Sequence, residues 1–100
     1  MGMHIITRRR LREFARRHPQ SGVPLSAWYR IVSRSTFSSI AHLRQTFPHA
    51  DPVSKYIVFN IGGNDFRLIT AIHFYRRKVY VRAILTHAEY SKIDLKKGEL

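Results

Sequence analysis

The first strongly periodic stretch is 8–18, RRRLREFARRH, where Leu11, Phe14, Ala15 and His18 recur at i, i+3, i+4 and i+7. That spacing lays one apolar stripe along a helix and surrounds it with arginine. Thr7 is placed to cap the start, and Pro19 ends the helix. The HIIT run just before it (4–7) predicts a short strand. A second stripe, Leu25, Trp28, Tyr29 and Val32, predicts a helix over 24–34 with Pro24 at its first position. Its helical spacing makes Trp28 a core residue. A serine-rich turn follows from 35, then Ile40, Leu43 and Phe47 suggest a short third helix, closed by Pro48 and Pro52.

Beyond Pro52 the period changes. KYIVFNI (55–61) is β-branched and aromatic, GG (62–63) signals a two-residue hairpin, and NDFRLITAIHFY (64–75) returns. A tight turn at Arg76-Arg77 leads into KVYVRAILT (78–86). With HIIT these runs make four strands. A turn there pairs Tyr75 with Lys78, Phe74 with Val79 and, further out, Arg67 with Thr86. One face then collects Phe66, Leu68, Ile72, Phe74, Val79, Val81 and Leu85, a core face for the helices. The other collects Arg67, Ile69, Ala71, His73, Tyr75, Lys78, Tyr80, Arg82 and Ile84. A loop one residue longer would move one strand's residues to the opposite face. Arg82 interrupts the apolar alternation because, in this register, it belongs to the open face.

One hundred residues suit a single domain, 1–100, around one core. The 44% apolar fraction is ample for a packed globule. No run approaches the roughly 18 apolar residues of a membrane span. There is no signal-peptide core, so a cytoplasmic protein is expected. Met1-Gly2 ahead of Met3 reads as a cloning remnant, with natural translation starting at Met3. The absence of cysteine removes disulfides, thiol nucleophiles and thiolate metal sites.

Charge changes the picture most. Eighteen Lys and Arg against six Asp and Glu leave a net +12, and thirteen of the eighteen are Arg. Such imbalance is self-repelling, and a polyanionic partner relieves it. The guanidinium fork matches phosphate and stacks on bases. Nucleic acid fits better than anionic lipid, since no basic amphipathic segment carries a strongly exposed apolar face. Arg8, Arg9 and Arg10 crowd the first turn of a helix whose dipole favours acids there, which points to contact with a phosphate backbone. On the second sheet face, His73, Lys78, Tyr80 and Arg82 form the basic and aromatic mixture that RNA surfaces use.

THAE (86–89) has capping-box spacing, so a helix begins at Thr86. His87 is its first residue, and Tyr90 lies three further on, on the same side. In the register above, Arg67, His87, Tyr90 and a helix N-terminus converge at one end of the sheet. Arginine stabilises developing phosphate charge, and histidine moves protons near neutral pH. RNA brings its own nucleophile, the 2′-hydroxyl, so no metal or cofactor is required. The histidines show no i,i+4 ligand pair, and no metal site is expected; His4, His18, His42 and His49 read as surface or partly buried residues.

NIGGNDFRL (60–68), VYVRAILTHAEY (79–90) and MHIIT (3–7) together resemble the HigB family of bacterial toxins, within the RelE/ParE-like superfamily of messenger RNA interferases. The resemblance runs from Met3 to about Ile93. It implies an α+β fold with two N-terminal helices on a mainly antiparallel, four-stranded sheet and a short C-terminal helix. It implies metal-independent cleavage of messenger RNA, commonly on the ribosome, and neutralisation by a HigA-type helix-turn-helix antitoxin. By motif, Arg67 resembles the family's phosphate-contacting arginine, His87 its histidine after the last strand and Tyr90 the tyrosine beyond it. Arg82 falls where relatives often carry another basic residue. Some RelE relatives use a glutamate base, and Asp65 and Glu89 offer no counterpart; the base stays open. A ParE-like protein acting on another target, and a non-catalytic nucleic-acid-binding module, are the competing readings.

Overall fold

In the computed structural model, which describes residues 2–100, the N-terminal strand is β1 (His4–Ile6) and the arginine-rich stretch is α1 (Arg8–Arg17). Thr7 does not cap α1 through its side chain. Its backbone is left-handed, φ 75°, and its hydroxyl makes no cap hydrogen bond; a capping side chain needs the extended conformation. A 3-10 turn, Pro19–Ser21, runs directly into α2 (Gly22–Arg34). That helix begins two residues earlier than its apolar stripe suggests. Pro24 remains in the first turn, where its missing N–H leaves no bond unmade. Leu25, Trp28 and Val32 are buried, as their spacing requires. α3 (Ile40–Thr46) starts at Ser39, whose hydroxyl accepts from the His42 N–H at 3.1 Å. Met1 lies outside the described residues, and Gly2 sits against the Ser33 carbonyl, where any Cβ would collide.

The remaining elements are β2 (Asp51–Val53), β3 (Tyr56–Ile61), β4 (Phe66–His73), β5 (Lys78–Thr86) and α4 (His87–Ser91), then a 3-10 turn at Leu95–Lys97. The protein is α+β, but its sheet has five strands, ordered β1-β5-β4-β3-β2. β1 runs parallel to β5 and the other pairs are antiparallel. The strand missing from the sequence pattern is β2. It is three residues long and holds Pro52, which an edge strand tolerates and a central one would not.

Both hairpin loops are longer than expected. Ile61 pairs with Phe66, leaving four residues in the loop. Gly62 and Gly63 both adopt positive φ, 64° and 68°; the backbone conformation, rather than lack of space, makes glycine the fitting residue. His73 pairs with Lys78 across a second four-residue loop. Farther along, Thr70 pairs with Val81 but Ile69 with Ala83. Arg82 is therefore the extra residue of a β-bulge, and that is why it breaks the alternation. The bulge reverses the facing of the strand residues beyond it. Ile84 packs with the helix-side core, whereas Leu85, expected there, lies on the opposite face. Arg67 pairs with Leu85 instead of Thr86.

The helix-side core joins Leu11, Phe14, Leu25, Trp28 and Val32 to Phe59, Leu68, Val79 and Val81. Truncating one such buried side chain to alanine costs about 2–5 kcal/mol. The other face, expected to be open, is covered over half its length. Leu95 and Ile93 fold back onto Tyr56, Val58 and Ile69, and Ile69 is completely buried. Among the described residues no helix is long and apolar enough to cross a membrane.

Candidate functional site

The covered face ends at a pocket. Cross-strand pairing sets its floor: Asn60 opposes Arg67, which opposes Leu85, and in the next row Asp51 opposes Val58. The turn after α3 supplies one wall, and α4 supplies the other. The cavity, about 400 Å³, is lined by Arg44, His49, Asp51, Asn60, Arg67 and Tyr90, among others.

Arg67 is 9% exposed. Its Nη1 donates to the carbonyl oxygens of Asn64 and Phe66, each at 3.1 Å, and Nη2 donates to Asn64 Oδ1 at 2.6 Å. The guanidinium lies 5.8 Å from the Tyr90 ring centroid, a cation–π arrangement. All these partners are neutral. A nearly buried cation is held rigidly by a turn residue, with its charge uncompensated by any ion pair among the described residues, which suits it to an incoming anion. The positive-φ glycines permit the turn that brings Asn64 back onto Arg67.

Tyr90 enters through α4. Both arms of the predicted capping box form: the Thr86 N–H donates to Glu89 Oε1 at 2.9 Å, and the Glu89 N–H donates to Thr86 Oγ1 at 3.1 Å. The hydrogen bond from the Thr86 backbone is the main reason the Glu89 carboxyl titrates below its ordinary value. Burial raises the Tyr90 hydroxyl above the ordinary tyrosine range; the Asp51 carboxylate adds to the rise and Arg67 opposes it. Tyr90 is therefore a neutral phenol at physiological pH, able to donate one hydrogen bond.

The convergence expected from the motifs forms in part. Arg67 and Tyr90 meet in the pocket. His87 is exposed at the first position of α4, its N–H donating to the Asp65 carbonyl at 2.9 Å, and it does not line the pocket. His49 does line it, beside Asp51. The sequence marks neither, because PHADP (48–52) reads as a helix-ending loop; only the pairing of Asp51 with Val58 places this segment at the site.

The other residues expected to bind RNA divide among three surfaces. His73, Lys78 and Tyr80 lie beyond the covered half of the sheet, where the His73 and Tyr80 rings meet edge-on at 5.3 Å. His73 lies six positions along β4 from Arg67, roughly 20 Å. Arg9 and Arg10 line a groove between α1 and β5, and Arg10 Nη1 donates to the carbonyl of the bulge residue Arg82 at 3.0 Å. Arg8 turns the other way, its guanidinium 4.3 Å from the Tyr29 ring centroid.

A family model described as HigB_toxin, the RelE-like toxic component of a toxin-antitoxin system, matches residues 21–93. An Escherichia coli protein named mRNA interferase HigB is 35% identical over 94 residues, covering 91% of each chain. The mRNA interferase HigB of Shigella flexneri is 34% identical over 91 residues, 88% of each.

Proposed function

Because the chain belongs to the HigB family of RelE-like toxins of toxin-antitoxin systems, we propose that it is an mRNA interferase that arrests translation and growth. In this reading it acts in the cytoplasm as a metal-independent endoribonuclease on messenger RNA engaged by the ribosome. A HigA-type helix-turn-helix antitoxin restrains it. The observation that carries the reading is Arg67: nearly buried, clamped by Asn64, unpaired with any acid among the described residues, and set against Tyr90 in a pocket that His49 also lines.

The chemistry follows from those positions. Arg67 binds the scissile phosphate through its free donor edge and stabilises the charge that builds as phosphorus becomes pentacoordinate. The neutral Tyr90 hydroxyl donates to a non-bridging oxygen. His49 accepts the proton of the 2′-hydroxyl as its oxygen attacks phosphorus. The bond from phosphorus to the 5′-oxygen breaks, and protonated His87, one helical turn from Tyr90, donates a proton to the departing oxygen. The upstream fragment ends in a 2′,3′-cyclic phosphate, and exchange with water resets both histidines. His73, Lys78, Tyr80, Arg82, Arg9 and Arg10 hold the flanking backbone and bases. A binding-only member of this fold has no use for a proton carrier beside a phosphate clamp.

Primer extension on messenger RNA from cells expressing the protein tests this directly. Discrete new ends are expected with the wild type and not with Arg67→Ala. Intact transcripts during full growth arrest would transfer the assignment to a binding-only toxin.

A further inference from the structure

On the helix side of the molecule, away from the Arg67 pocket, α1 and α2 enclose a groove of about 560 Å³. Its floor is apolar, built from Leu11, Leu25 and Tyr29, and its rim carries Arg8, Arg12, Arg30 and Arg34. No acidic residue among those described lines it. Arg8 and Arg12 are spaced i,i+4 on α1, and Arg30 and Arg34 are spaced likewise on α2. Like charges at that spacing destabilise a helix. The one ion pair among the described residues, Arg9 with Glu13, lies in the groove on the other side of α1. Val23, at the mouth, is 82% exposed although apolar.

We propose that this groove seats an acidic, amphipathic segment of the antitoxin. The inference rests on the antitoxin that family membership implies, not on the cleavage chemistry. Apolar side chains of the segment cover Val23 and the half-buried Ala15 and Tyr29, above the buried Leu11 and Leu25, while its carboxylates pair with the four arginines. Arg8 is already held at the groove wall by stacking on Tyr29, so less side-chain freedom is lost when it pairs. A second copy of this chain does not fit, because its net +12 would add cations to the rim. An RNA backbone would leave the exposed apolar side chain of Val23 uncovered.

The test measures binding of the purified cognate antitoxin by titration calorimetry at fixed salt. Arg12→Glu and Arg30→Glu alter exposed side chains, and thermal melts check that both variants fold. Each should weaken binding about tenfold or more, and the pair together by at least about a hundredfold, since like charges are then forced together. Val23→Glu, a change at an exposed site, should also weaken binding. Arg9→Glu with Arg10→Glu changes net charge equally but lies outside the groove, and should cost less than about threefold. Equal losses from the two double variants would show a diffuse charge effect and overturn the proposal. Wild-type affinity in Arg12→Glu/Arg30→Glu, or displacement of the antitoxin by a short RNA, would also overturn it. Should primer extension show no cleavage while the groove variants still lose the antitoxin, the function reading fails and this one stands.

Discussion

Asn64→Asp isolates the role of the Arg67 charge, because it replaces one amide nitrogen by oxygen without changing shape. In the native protein Asn64 Oδ1 accepts from Arg67 Nη2 at 2.6 Å. A carboxylate there turns a neutral acceptor into an ionic partner. Hydrogen bonds to charged groups are worth about 1.5–3 kcal/mol net, and pairing two charges moves this one toward the upper end of that range. Asn64 is exposed, so screening reduces the gain to about 0.5–1 kcal/mol. For a domain of this size that raises Tm by roughly 2–8 °C. Activity should move the opposite way. A carboxylate about 5 Å from a bound phosphate repels it by roughly 3 kcal/mol at an effective dielectric near 20, and less once screened. Cleavage should therefore fall about 10- to 100-fold. The assay pairs a thermal melt with single-turnover cleavage of a defined messenger RNA in a cell-free translation mixture. A variant that is more stable and equally active would refute the idea that an uncompensated Arg67 binds phosphate. A variant that is less stable would refute the clamp.

His49→Gln and His87→Gln should each slow cleavage by ~10²–10⁴ with little change in Tm, since both side chains are exposed; if His49→Gln alone is fully active, proton abstraction does not occur from the pocket wall. Tyr90→Phe should lower the rate about tenfold through loss of one hydrogen bond while the ring keeps its packing, and unchanged rates would limit Tyr90 to a structural role. Thr86→Ala removes the hydroxyl arm of the capping box and should cost about 1 kcal/mol by denaturant titration. The Glu89 carboxyl has a folded-state pKa below its unfolded one, so its contribution is complete above the unfolded value. It is lost as pH falls through the folded value, and wild type and Glu89→Gln, which removes that carboxylate, should converge in acid. RNA affinity should fall with salt, and Arg9→Gln with Arg10→Gln should lessen the logarithmic slope by roughly 0.7–0.9 for each phosphate contact removed; an unchanged slope would take α1 off the RNA.

The elements of this protein that depend on near neighbours were legible in its residues. The stripe of Leu11 and Phe14, the stripe of Leu25, Trp28 and Val32, and the Thr86–Glu89 capping box all form as read, because helix periodicity and caps act within a turn or two. Alternation alone also assigned Arg67 and His73 to the face opposite Phe66 and Leu68. The family motif named Arg67 and Tyr90, which meet in the pocket. Tertiary structure decided the rest. One unpaired residue at Arg82 exchanged the facing of Ile84 and Leu85, and nothing local to VRAIL distinguishes a bulge from a regular strand. Asp51–Val53 has too few residues for a periodic signal and becomes a strand only by pairing with β3. Leu95 and Ile93 cover Ile69 from a segment more than twenty positions away, turning an expected open surface into a second core. His49 reaches the pocket and His87 does not, because pocket membership depends on how the turn after α3 and the start of α4 are carried to the sheet. Local sequence sets the period of each element. Register and the packing of distant segments set which side chains share a site, since they are chosen by the free energy of the whole core.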